Sequence, residues 1–416
     1  MLDLRRIRSE PDAVRAALDR RGDPSIGEAL DRVLALDARR RELLPELEQL
    51  RARKNEASEA IGAAKRSGED ASDAIAAMKE LGAREKELSA ELSEIEAELG
   101  HAQTALPNVP ADEAPQGDSV LREVGEAGRT GRDHLELAGP MIDMEAGARV
   151  AGSRFAYLRG DLVMLEFALV RWALERLRAH GHEPVVPPVL VREEAMYGTG
   201  FLPDTEQQIY RLADDPLYLV GTSEVPLASL HAGEILDEET LPRRYAAFSS
   251  CFRREAGAAG KDTRGIFRVH QFDKVEMFSF VAPERSAEEH ERLLAVEEQL
   301  LGELQIPYRV VDISVDDLGA SAARKFDLEA WLPGQAAYRE LTSCSNTTDF
   351  QARRLEIRMR PAGGGRPVVL HTLNGTAVAV GRTIIALLEN GQRDDGGVDL
   401  PPVLAEFGAP RSLGPV

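Results

Sequence analysis

CFRREAGAAGKDTRGIFRVHQFDKVE, residues 251–276, is the stretch that decides the fold of this 416-residue chain. Apolar, strand-like ends flank a centre that is rich in glycine and charge. Glycines let backbone N–H groups approach a phosphate closely, and arginines supply the opposite charge. The residues fit a phosphate-binding loop, a solvated hairpin or a nucleic-acid patch, and the rest of the chain must decide among these.

The glycine-rich centre does not fit the nucleotide P-loop, G-x-x-x-x-G-K-[ST]. Counting back from Gly260 and Lys261 places Glu255 at the first glycine, and Asp262 replaces the Ser/Thr. The segment also precedes a strand pattern, not a helix whose N-terminus could bind a phosphate. Since no GxGxxG follows a strand either, a Rossmann nucleotide site is not predicted.

The bulk composition is that of a soluble globular protein. Hydrophobic residues make up 43% of the chain, and the N-terminus has no long apolar run, so we expect neither a signal peptide nor a transmembrane segment. The two cysteines, Cys251 and Cys344, have no metal-ligand spacing and suit a reducing cytoplasm. The net charge of −20 argues against a general nucleic-acid coat protein, although not against a local basic surface.

Residues 28–100 carry two heptad rows that predict a pair of long helices. The rows are Leu36, Arg40, Leu43, Leu47, Leu50, Lys54, Ala57 and Ile61, and Ala74, Met78, Leu81, Glu85, Leu88, Leu92, Ile95 and Leu99. The polar stretch 66–70 contains Gly68 and can end one helix and begin the next. We therefore predict an antiparallel helical hairpin with arms of roughly 40 Å, in which Pro45 kinks the first helix or divides it.

The hairpin pattern fits two roles. Heptads are the ordinary signature of a coiled coil that holds two chains together. The first helix and the turn are also strongly basic, whereas the second helix is rich in glutamate. The basic residues are Arg39, Arg40, Arg41, Arg51, Arg53, Lys54, Lys65 and Arg66. A helix that faces phosphates would show this asymmetry, and so would a solvated charged face.

Residues 104–133 are rich in turn-forming residues and predict a linker. Beyond them, short β-branched and aromatic runs alternate with few helices, which are predicted within 154–181 and 287–304. Strands that pair as hairpins favour an antiparallel sheet over a doubly wound parallel one. The predicted fold is α+β: a helical hairpin domain over 1–103, a linker over 104–133, and over 134–416 a domain built on an antiparallel β-sheet with flanking helices.

With the rest of the chain in view, residues 252–276 resemble motif 2 of the class II aminoacyl-tRNA synthetases, in which two antiparallel strands flank a loop over ATP. The wording FRREAGAAGKDTRGIFRVHQFDKVE is similar to that of the bacterial seryl-tRNA synthetases. Further segments resemble that family in the right order along nearly the whole chain. They are the N-terminal arm with MLDLRRIR, EPVVPPVLV (motif 1), YLVGTSEVPL (serine pocket), YRELTSCSNTTDFQARR (ATP and metal strand) and HTLNGTAVAVGRTIIALLENGQ (motif 3).

The resemblance implies a cytoplasmic enzyme, a serine–tRNA ligase. It would activate L-serine with ATP and Mg²⁺ to seryl-adenylate and transfer the seryl group to tRNA(Ser), and to tRNA(Sec) where that tRNA is present. The arm would bind the tRNA, and Pro188 in motif 1 would lie at a homodimer interface. No membrane association is implied.

The resemblance also implies roles for individual residues. The catalytic residues would be Arg253, Glu255 and Arg382. The serine site would comprise Thr222, Ser223, Glu224, Arg253, Glu276 and Thr376. The ATP site would comprise Arg253, Arg254, Glu255, Val269, Glu340, Leu341, Thr342, Ser343 and Arg382, and Glu340 and Ser343 would hold Mg²⁺ through the ATP phosphates. The glycine-rich residues 257–265 would meet ATP and the tRNA end.

These residue types suit the implied chemistry. A serine carboxylate must approach an anionic phosphorus, and a fixed guanidinium such as Arg253 can hold both groups while no proton acceptor is needed. The ammonium group of serine requires a carboxylate, for which Glu276 and Glu224 are the candidates. Taken alone, Arg253 and Glu255 would be an ordinary surface ion pair.

Other functions fit parts of the same pattern. A duplicate synthetase with a role in antibiotic tolerance would carry the same residues. A relative that loads an amino acid onto a carrier protein would lack the long arm of residues 28–100. A non-catalytic RNA-binding or coiled-coil scaffold would have lost charged residues of the site. Those residues, Arg253, Glu255, Glu276, Glu340 and Arg382, are all present.

Overall fold

A computed structural model describes residues 1–68, 70–203, 208–256, 262 and 264–415. The chain divides into two compact units. The first unit comprises Leu2–Pro107, and the second comprises Asn108–Val416 together with Met1.

The first unit is helical throughout its described residues. Its helices are α1 (Leu4–Ser9), α2 (Pro11–Asp19), α3 (Pro24–Ser67) and α4 (Ser72–Ala105). Helix α3 ends at Gly68, which takes the left-handed φ of 75° that a glycine adopts without strain. Pro45, predicted to kink the first helix or divide it, lies inside α3 on an exposed face and does not divide the helix.

The predicted hairpin is confirmed, because α3 and α4 pack along the two heptad rows. Leucines from both helices form one apolar seam. The seam comprises Leu43, Leu47, Leu50, Leu88 and Leu92, with Leu44, Leu81 and Ile95 beside it. Removal of this apolar area from water is the main force that keeps the two helices together.

The second unit is mixed, and its described residues form the following elements. The strands are β1 (Ser119–Val124), β2 (Ile142–Asp143), β3 (Tyr157–Leu158), β4 (Glu183–Val185), β5 (Leu190–Arg192), β6 (Tyr210–Arg211), β7 (Leu217–Leu219), β8 (Ile235–Asp237), β9 (Arg243–Phe252), β10 (Gln271–Val281), β11 (Tyr308–Asp312), β12 (Arg324–Leu332), β13 (Ala337–Thr348), β14 (Arg358–Arg360), β15 (Val368–Val369), β16 (His371–Ala379), β17 (Val398–Asp399) and β18 (Ser412–Leu413). The helices are α5 (His134–Ala138), α6 (Met144–Ala151), α7 (Asp161–Ala179), α8 (Glu193–Thr199), α9 (Glu224–Ala228), α10 (Ser286–Glu303), α11 (Phe350–Arg354), α12 (Val380–Asn390) and α13 (Pro402–Ala405). Short 3₁₀ helices lie at Gly139–Met141, Ser229–His231, Glu238–Thr240 and Pro283–Arg285.

A large sheet organises this second unit. Within the described residues it has eight strands in the order β1-β11-β12-β13-β16-β10-β9-β4. All neighbours pair antiparallel except β4 and β9, which are parallel. The predicted α+β fold with an antiparallel sheet is therefore confirmed.

One face of the sheet is covered by helices. Long helices α7, α10 and α12 pack against the central strands, and the shared core contains Trp172, Leu294 and Ile384. Since successive side chains of a strand point to opposite faces, the other face of the same strands is free to carry polar groups. No helix within the described residues is long and apolar enough to cross a membrane.

Residues 104–133, predicted to be a linker, include β1, which pairs with β11 at an edge of the large sheet. Tertiary packing outweighs local propensity there. Of YLVGTSEVPL, only the start belongs to β7, and the end forms α9.

Candidate active site

A cavity of about 470 Å³ lies on the face of the large sheet opposite the helices. Residues of three adjacent strands line it: the alternate residues Lys274 and Glu276 from β10, the alternate residues Asn374 and Thr376 from β16, and several residues of β13, among them Ser343. The intervening residues of β10, such as Val275, face the apolar core instead. The period-two alternation of a strand therefore places these polar groups together.

Arg253 follows directly after β9 and enters this cavity. Its Nε donates to the carbonyl of Gly221 at 3.1 Å, and its guanidinium lies 5.4 Å from the ring centre of Phe272. Its backbone is held on both sides by His270: the Arg253 N–H donates to the His270 carbonyl at 3.0 Å, and His270 Nδ1 lies 2.9 Å from the Arg253 carbonyl. The guanidinium is thus fixed in place before any ligand arrives.

Glu255 lines the same cavity in a strained backbone conformation, with a φ of 52°. Its Oε2 accepts a hydrogen bond from Arg268 Nη1 at 2.8 Å. Val269, one residue beyond Arg268, lines the cavity as well. The ion pair therefore joins a residue that precedes the glycine-rich sequence 257–265 to one that follows it.

Arg382 reaches the cavity from the first turn of α12. Its Nη1 donates to the Glu340 carbonyl at 2.9 Å and lies 3.4 Å from Glu340 Oε2, and its guanidinium stacks 4.5 Å from the ring centre of Phe267. Burial lowers the pKa of Arg382, and the charge of Glu340 opposes that shift. Burial would raise the pKa of Glu340, but the positive charges of Arg382, Lys325 and Arg253 outweigh it and the pKa falls below its ordinary value.

Glu276, which lines the same cavity, is almost fully buried and pairs with the ammonium group of Lys274. Lys274 Nζ also donates to Thr222 Oγ1 at 2.6 Å. Burial raises the pKa of Glu276, whereas the charges of Lys274 and Arg253 oppose the rise. The cavity floor thus carries a desolvated ion pair of residues separated by two positions on β10.

Glu224, at the start of α9, lies beside Glu276 and lines the cavity. Its Oε1 accepts hydrogen bonds from Gln351 Nε2 at 2.7 Å and from Asn374 Nδ2 at 3.0 Å. Burial and the neighbouring charge of Glu276 raise the pKa of Glu224 to about 7. A cation that entered this pocket would therefore meet two carboxyl groups.

The structure does not bring every predicted residue into the cavity. Ser223 is fully buried beside it but does not line it, and Arg254 likewise lies outside its lining. The hydroxyl of Thr342 donates to Glu297 Oε2 at 2.8 Å, so only the rest of that residue contributes to the wall. Residues 257–261 and 263, expected to meet ATP, are outside the described part of the chain.

The predicted metal residues, Glu340 and Ser343, both line the cavity. A carboxylate and a hydroxyl are oxygen ligands of the kind that Mg²⁺ accepts. Within the described residues, no group of three or more His, Cys, Asp or Glu side chains converges on a metal position. This pair fits a cation that brings most of its ligands with it, such as one bound to phosphates.

Several residues of the site were not predicted from the sequence. Lys274 and Asn374 precede Glu276 and Thr376 by two positions on the same strands, so strand periodicity could have identified them. Lys325 lines the cavity from β12 and pairs with Asp327 at 2.8 Å. No local signal marks Lys325, because its position depends on how β12 pairs with β13.

Comparisons with known proteins agree with this geometry. The family described as "Seryl-tRNA synthetase N-terminal domain" matches residues 1–110, and the family "tRNA synthetase class II core domain (G, H, P, S and T)" matches residues 208–391. A protein of Acidothermus cellulolyticus named serine–tRNA ligase is 50% identical over 417 residues, covering 98% of each chain.

Solved structures give the same result. The seryl-tRNA synthetase of Pyrococcus horikoshii complexed with ATP is 40% identical, covers 100% of both chains and has a TM-score of 0.95. The cytoplasmic serine–tRNA ligase of Naegleria fowleri in complex with AMP is 31% identical, covers 100% of this chain and 99% of its own, and has a TM-score of 0.86. With matches of this identity over the full length, the chain belongs to the seryl-tRNA synthetase family of class II aminoacyl-tRNA synthetases.

Proposed function

We propose that this protein activates L-serine with ATP and transfers the seryl group to tRNA(Ser), and to tRNA(Sec) where that tRNA is present, in the cytoplasm. One observation carries the proposal: Arg253 shares a single cavity with two groups of charged residues. Glu224 and Glu276 form the first group, and Glu340 and Arg382 form the second. Residues suited to binding a cation and residues suited to binding anions therefore share one cavity with the Arg253 guanidinium.

In the activation step, the serine carboxylate attacks the α-phosphorus of ATP and displaces pyrophosphate. Both partners are negative, so the chief barrier is to bring them together. Arg253 would bind the carboxylate and an α-phosphate oxygen with its fork of donors, stabilising the charge as it redistributes. The serine carboxylate is already ionised, so no residue has to accept a proton in this step.

The remaining ATP contacts are assigned to other charged and polar residues that line the cavity. We assign the adenine amino group to Glu255 and the γ-phosphate to Arg382. Glu340 and Ser343 would contribute two oxygen ligands to Mg²⁺ that arrives with the ATP phosphates. The metal would neutralise phosphate charge, while the protein holds the chain of phosphates in line.

The serine pocket lies on the other side of Arg253. Glu276 and Glu224 would bind the ammonium group, and the hydroxyls of Thr222 and Thr376 would pair with the serine hydroxyl. Alanine would lack the hydroxyl that pairs with Thr222 and Thr376, so discrimination of roughly 10⁴-fold is reachable without an editing domain. Threonine would be excluded by the volume of the pocket.

Pyrophosphate exchange into ATP, measured with each of the twenty amino acids in the presence of Mg²⁺, tests this proposal. We expect exchange with serine alone. Arg253→Gln should lower the rate by about 10²- to 10³-fold, since it removes a charged donor to the transition state. Arg360→Gln, an exposed arginine of β14 outside the cavity, is the matched control and should leave exchange unchanged. Absence of exchange with serine in the unaltered protein would refute the proposal.

We further propose that the α3–α4 hairpin binds the tRNA. Several basic residues of α3 pair with glutamates of α4: Arg39 with Glu91, Arg40 with Glu96, and Arg51 and Lys54 with Glu85. Within the described residues Arg41 and Arg53 form no such pair and are exposed, so their charge is available to phosphates.

We also propose a homodimer formed through the region of Pro188. Exposed apolar side chains lie on α7 and next to β4, two elements that pack against each other. Phe167 is 62% exposed, and Val186, two residues before Pro188, is 83% exposed. Since β4 is an edge strand of the large sheet, a second copy could cover both.

Of the alternative functions, a duplicate synthetase would have the same chemistry. Growth of the source cell after deletion of every other seryl-tRNA synthetase gene would separate an essential copy from a spare one. The carrier-loading reading lacks support, because the long arm is present in this chain. A non-catalytic scaffold is disfavoured, because all five charged residues that it would have lost are intact.

A further inference from the structure

A buried histidine contacts the chain immediately before the cavity residues of motif 2. His134, the first residue of α5, is 5% exposed, and its Nε2 accepts a hydrogen bond from the backbone N–H of Ile266 at 3.3 Å. Gly265 has a φ of 77°, and a Cβ built there would lie only 2.1 Å from His134 Nε2. The ring thus lies directly against the backbone of residues 265–266.

The proton on this ring is fixed by a buried carboxylate. His134 Nδ1 lies 3.1 Å from Glu389 Oε1, which also accepts from the backbone N–H of His134 at 3.1 Å. Glu389 Oε2 accepts from the Gly334 N–H at 2.8 Å, and the side chain is fully buried. A carboxylate only accepts, so Nδ1 is the donor and Nε2 keeps the lone pair that Ile266 requires.

Residues 266–269, which follow this contact, all line the cavity. The ring of Phe267 lies between two guanidinium groups, 4.5 Å from that of Arg382 and 4.2 Å from that of Arg339. The Phe267 carbonyl accepts from Arg382 Nε at 3.4 Å. A shift of the backbone at Ile266 would therefore move the surface on which Arg382 stacks.

Helix α12 carries two residues of this arrangement, Arg382 near its start and Glu389 near its end. Glu389, through His134, fixes the motif 2 backbone, and Phe267 in that backbone fixes Arg382. These contacts connect α12 to residues 265–268 at two places, through Glu389 and His134 and through Arg382. They therefore hold Arg382 and the backbone of residues 265–268 in one relative position.

We propose that His134, oriented by Glu389, is a positioning residue for ATP: it sets the motif 2 backbone at residues 265–268, and thereby the aromatic and guanidinium surface against which ATP binds. The inference rests on the placement of ATP proposed above. His134 itself lines no part of the cavity, so it acts through the backbone of Ile266 and not by touching the substrate.

Three substitutions of His134 separate its two hydrogen bonds. His134→Asn keeps a donor for Glu389 and loses the acceptor for Ile266, His134→Gln keeps an acceptor for Ile266, and His134→Leu loses both. We expect the KM for ATP in pyrophosphate exchange, and the Kd for ATP in direct binding, to rise by about 10-fold or more for Asn and Leu and by less for Gln. The KM for serine should change by less than about 2-fold, because the serine pocket lies on other elements.

His231→Leu is the matched control. His231 is a buried histidine that bonds to the Glu234 carboxylate at 2.8 Å and to the Tyr245 hydroxyl at 2.8 Å, and it does not line the cavity. We expect this variant to lower the thermal midpoint without changing the Kd for ATP. Gly265→Ala, whose added methyl group would displace the ring of His134, should instead weaken ATP binding as His134→Asn does.

The outcomes separate this inference from the proposed function. Unchanged ATP binding in His134→Asn, or equal losses in Asn and Gln, would overturn the positioning role while leaving the activity intact. If His134→Leu does not fold, the comparison of Asn with Gln decides alone. Failure of the unaltered protein to bind ATP at all would overturn both proposals.

Discussion

Glu224 is the residue whose environment most directly predicts a pH effect. Burial and the adjacent charge of Glu276 raise its pKa to about 7, so its charged form is present above pH 7 and is lost as the pH falls through that value. The ammonium group of serine remains charged throughout this range. Only the protein partner of that contact changes its charge.

We therefore predict that the KM for serine rises as the pH falls below about 7, while the KM for ATP changes little. Glu224→Gln should raise the KM for serine by roughly 10- to 100-fold at high pH, as expected for loss of a hydrogen bond to a charged group. It should also flatten the pH dependence, because Gln cannot titrate. Steady-state exchange between pH 5.5 and 8.5 measures both effects.

The substitution should preserve the pocket, because a Gln oxygen can still accept from Gln351 and Asn374. Glu193→Gln is a suitable control, since Glu193 accepts from the Tyr218 hydroxyl at 2.9 Å and lies outside the cavity. An unchanged pH profile in Glu224→Gln would contradict this assignment and point to Glu276 as the titrating group.

Among single residues, the sequence predicts the charged residues of the recognised motifs better than the neighbouring residues that complete the site. Arg253, Glu276 and Arg382 are recognisable from motif wording, and the structure brings all three to one cavity. Lys325 lies in no recognised motif, and it reaches the cavity only through the pairing of β12 with β13. Gln351 lies within the quoted segment YRELTSCSNTTDFQARR, but nothing in its wording indicates the bond to Glu224, which depends on how α11 packs.

Among the elements, the α3–α4 hairpin shows which of its basic residues pair with glutamates, which the composition alone did not reveal. The asymmetry between a basic and an acidic helix is partly explained by ion pairs between the two helices, such as Arg39 with Glu91 and Arg40 with Glu96. These pairs are exposed and each contributes little to stability. Arginines that have no such glutamate partner among the described residues, such as Arg41 and Arg53, are the stronger candidates for phosphate contacts.

We predict that the double substitution Arg41→Ala with Arg53→Ala weakens tRNA binding about 10-fold or more at low salt. It should also reduce the slope of log K against log[salt] by about 2, one for each lost phosphate contact. Pyrophosphate exchange should be unaffected, because serine and ATP bind in the other unit. Filter binding of tRNA(Ser) at several salt concentrations measures the slope.

The control is Arg39→Ala with Arg40→Ala, which removes the same net charge from the same helix. We expect it to reduce the salt slope by less than the first pair does. Equal reductions for the two double variants would mean that interhelical pairing does not decide which arginines meet the tRNA.

The extents of the elements were predicted less accurately than their existence. Pro45 was expected to kink or divide α3, and the helix continues past it undivided, because long-range packing of the leucine seam compensates for a local helix breaker. Residues 119–124 read as linker because all six are exposed on an edge strand, so they show no buried face for a pattern to reveal.

For the whole molecule, the exposed apolar side chains at the β4 edge predict the oligomeric state. A charge placed there should prevent a second copy from docking, because a buried unpaired carboxylate is strongly unfavourable. We predict that the unaltered protein sediments at twice the 45.5 kDa of the chain and that Phe167→Glu sediments as a monomer.

Val120→Glu is the control for the opposite edge. Val120 is 46% exposed on β1, which ends the large sheet on the side away from β4. This variant should remain a dimer. Sedimentation of the unaltered protein as a monomer, or of Phe167→Glu as a dimer, would contradict the proposed interface.

The order of the central strands fixes the distance between two groups of cavity residues. Glu276 lies on β10 and Ser343 on β13, with only β16 between them, and neighbouring strands are separated by about 4.8 Å. The distance between the residue that we propose for the serine ammonium group and the residue that we propose for the ATP-bound metal is thus two strand spacings, or roughly 10 Å, set by backbone hydrogen bonds. Substitutions can change which chemical group each of these side chains recognises, but not the distance between the strands that carry them. Within the family, the side chains would therefore vary while the distance between the two groups of residues stays constant.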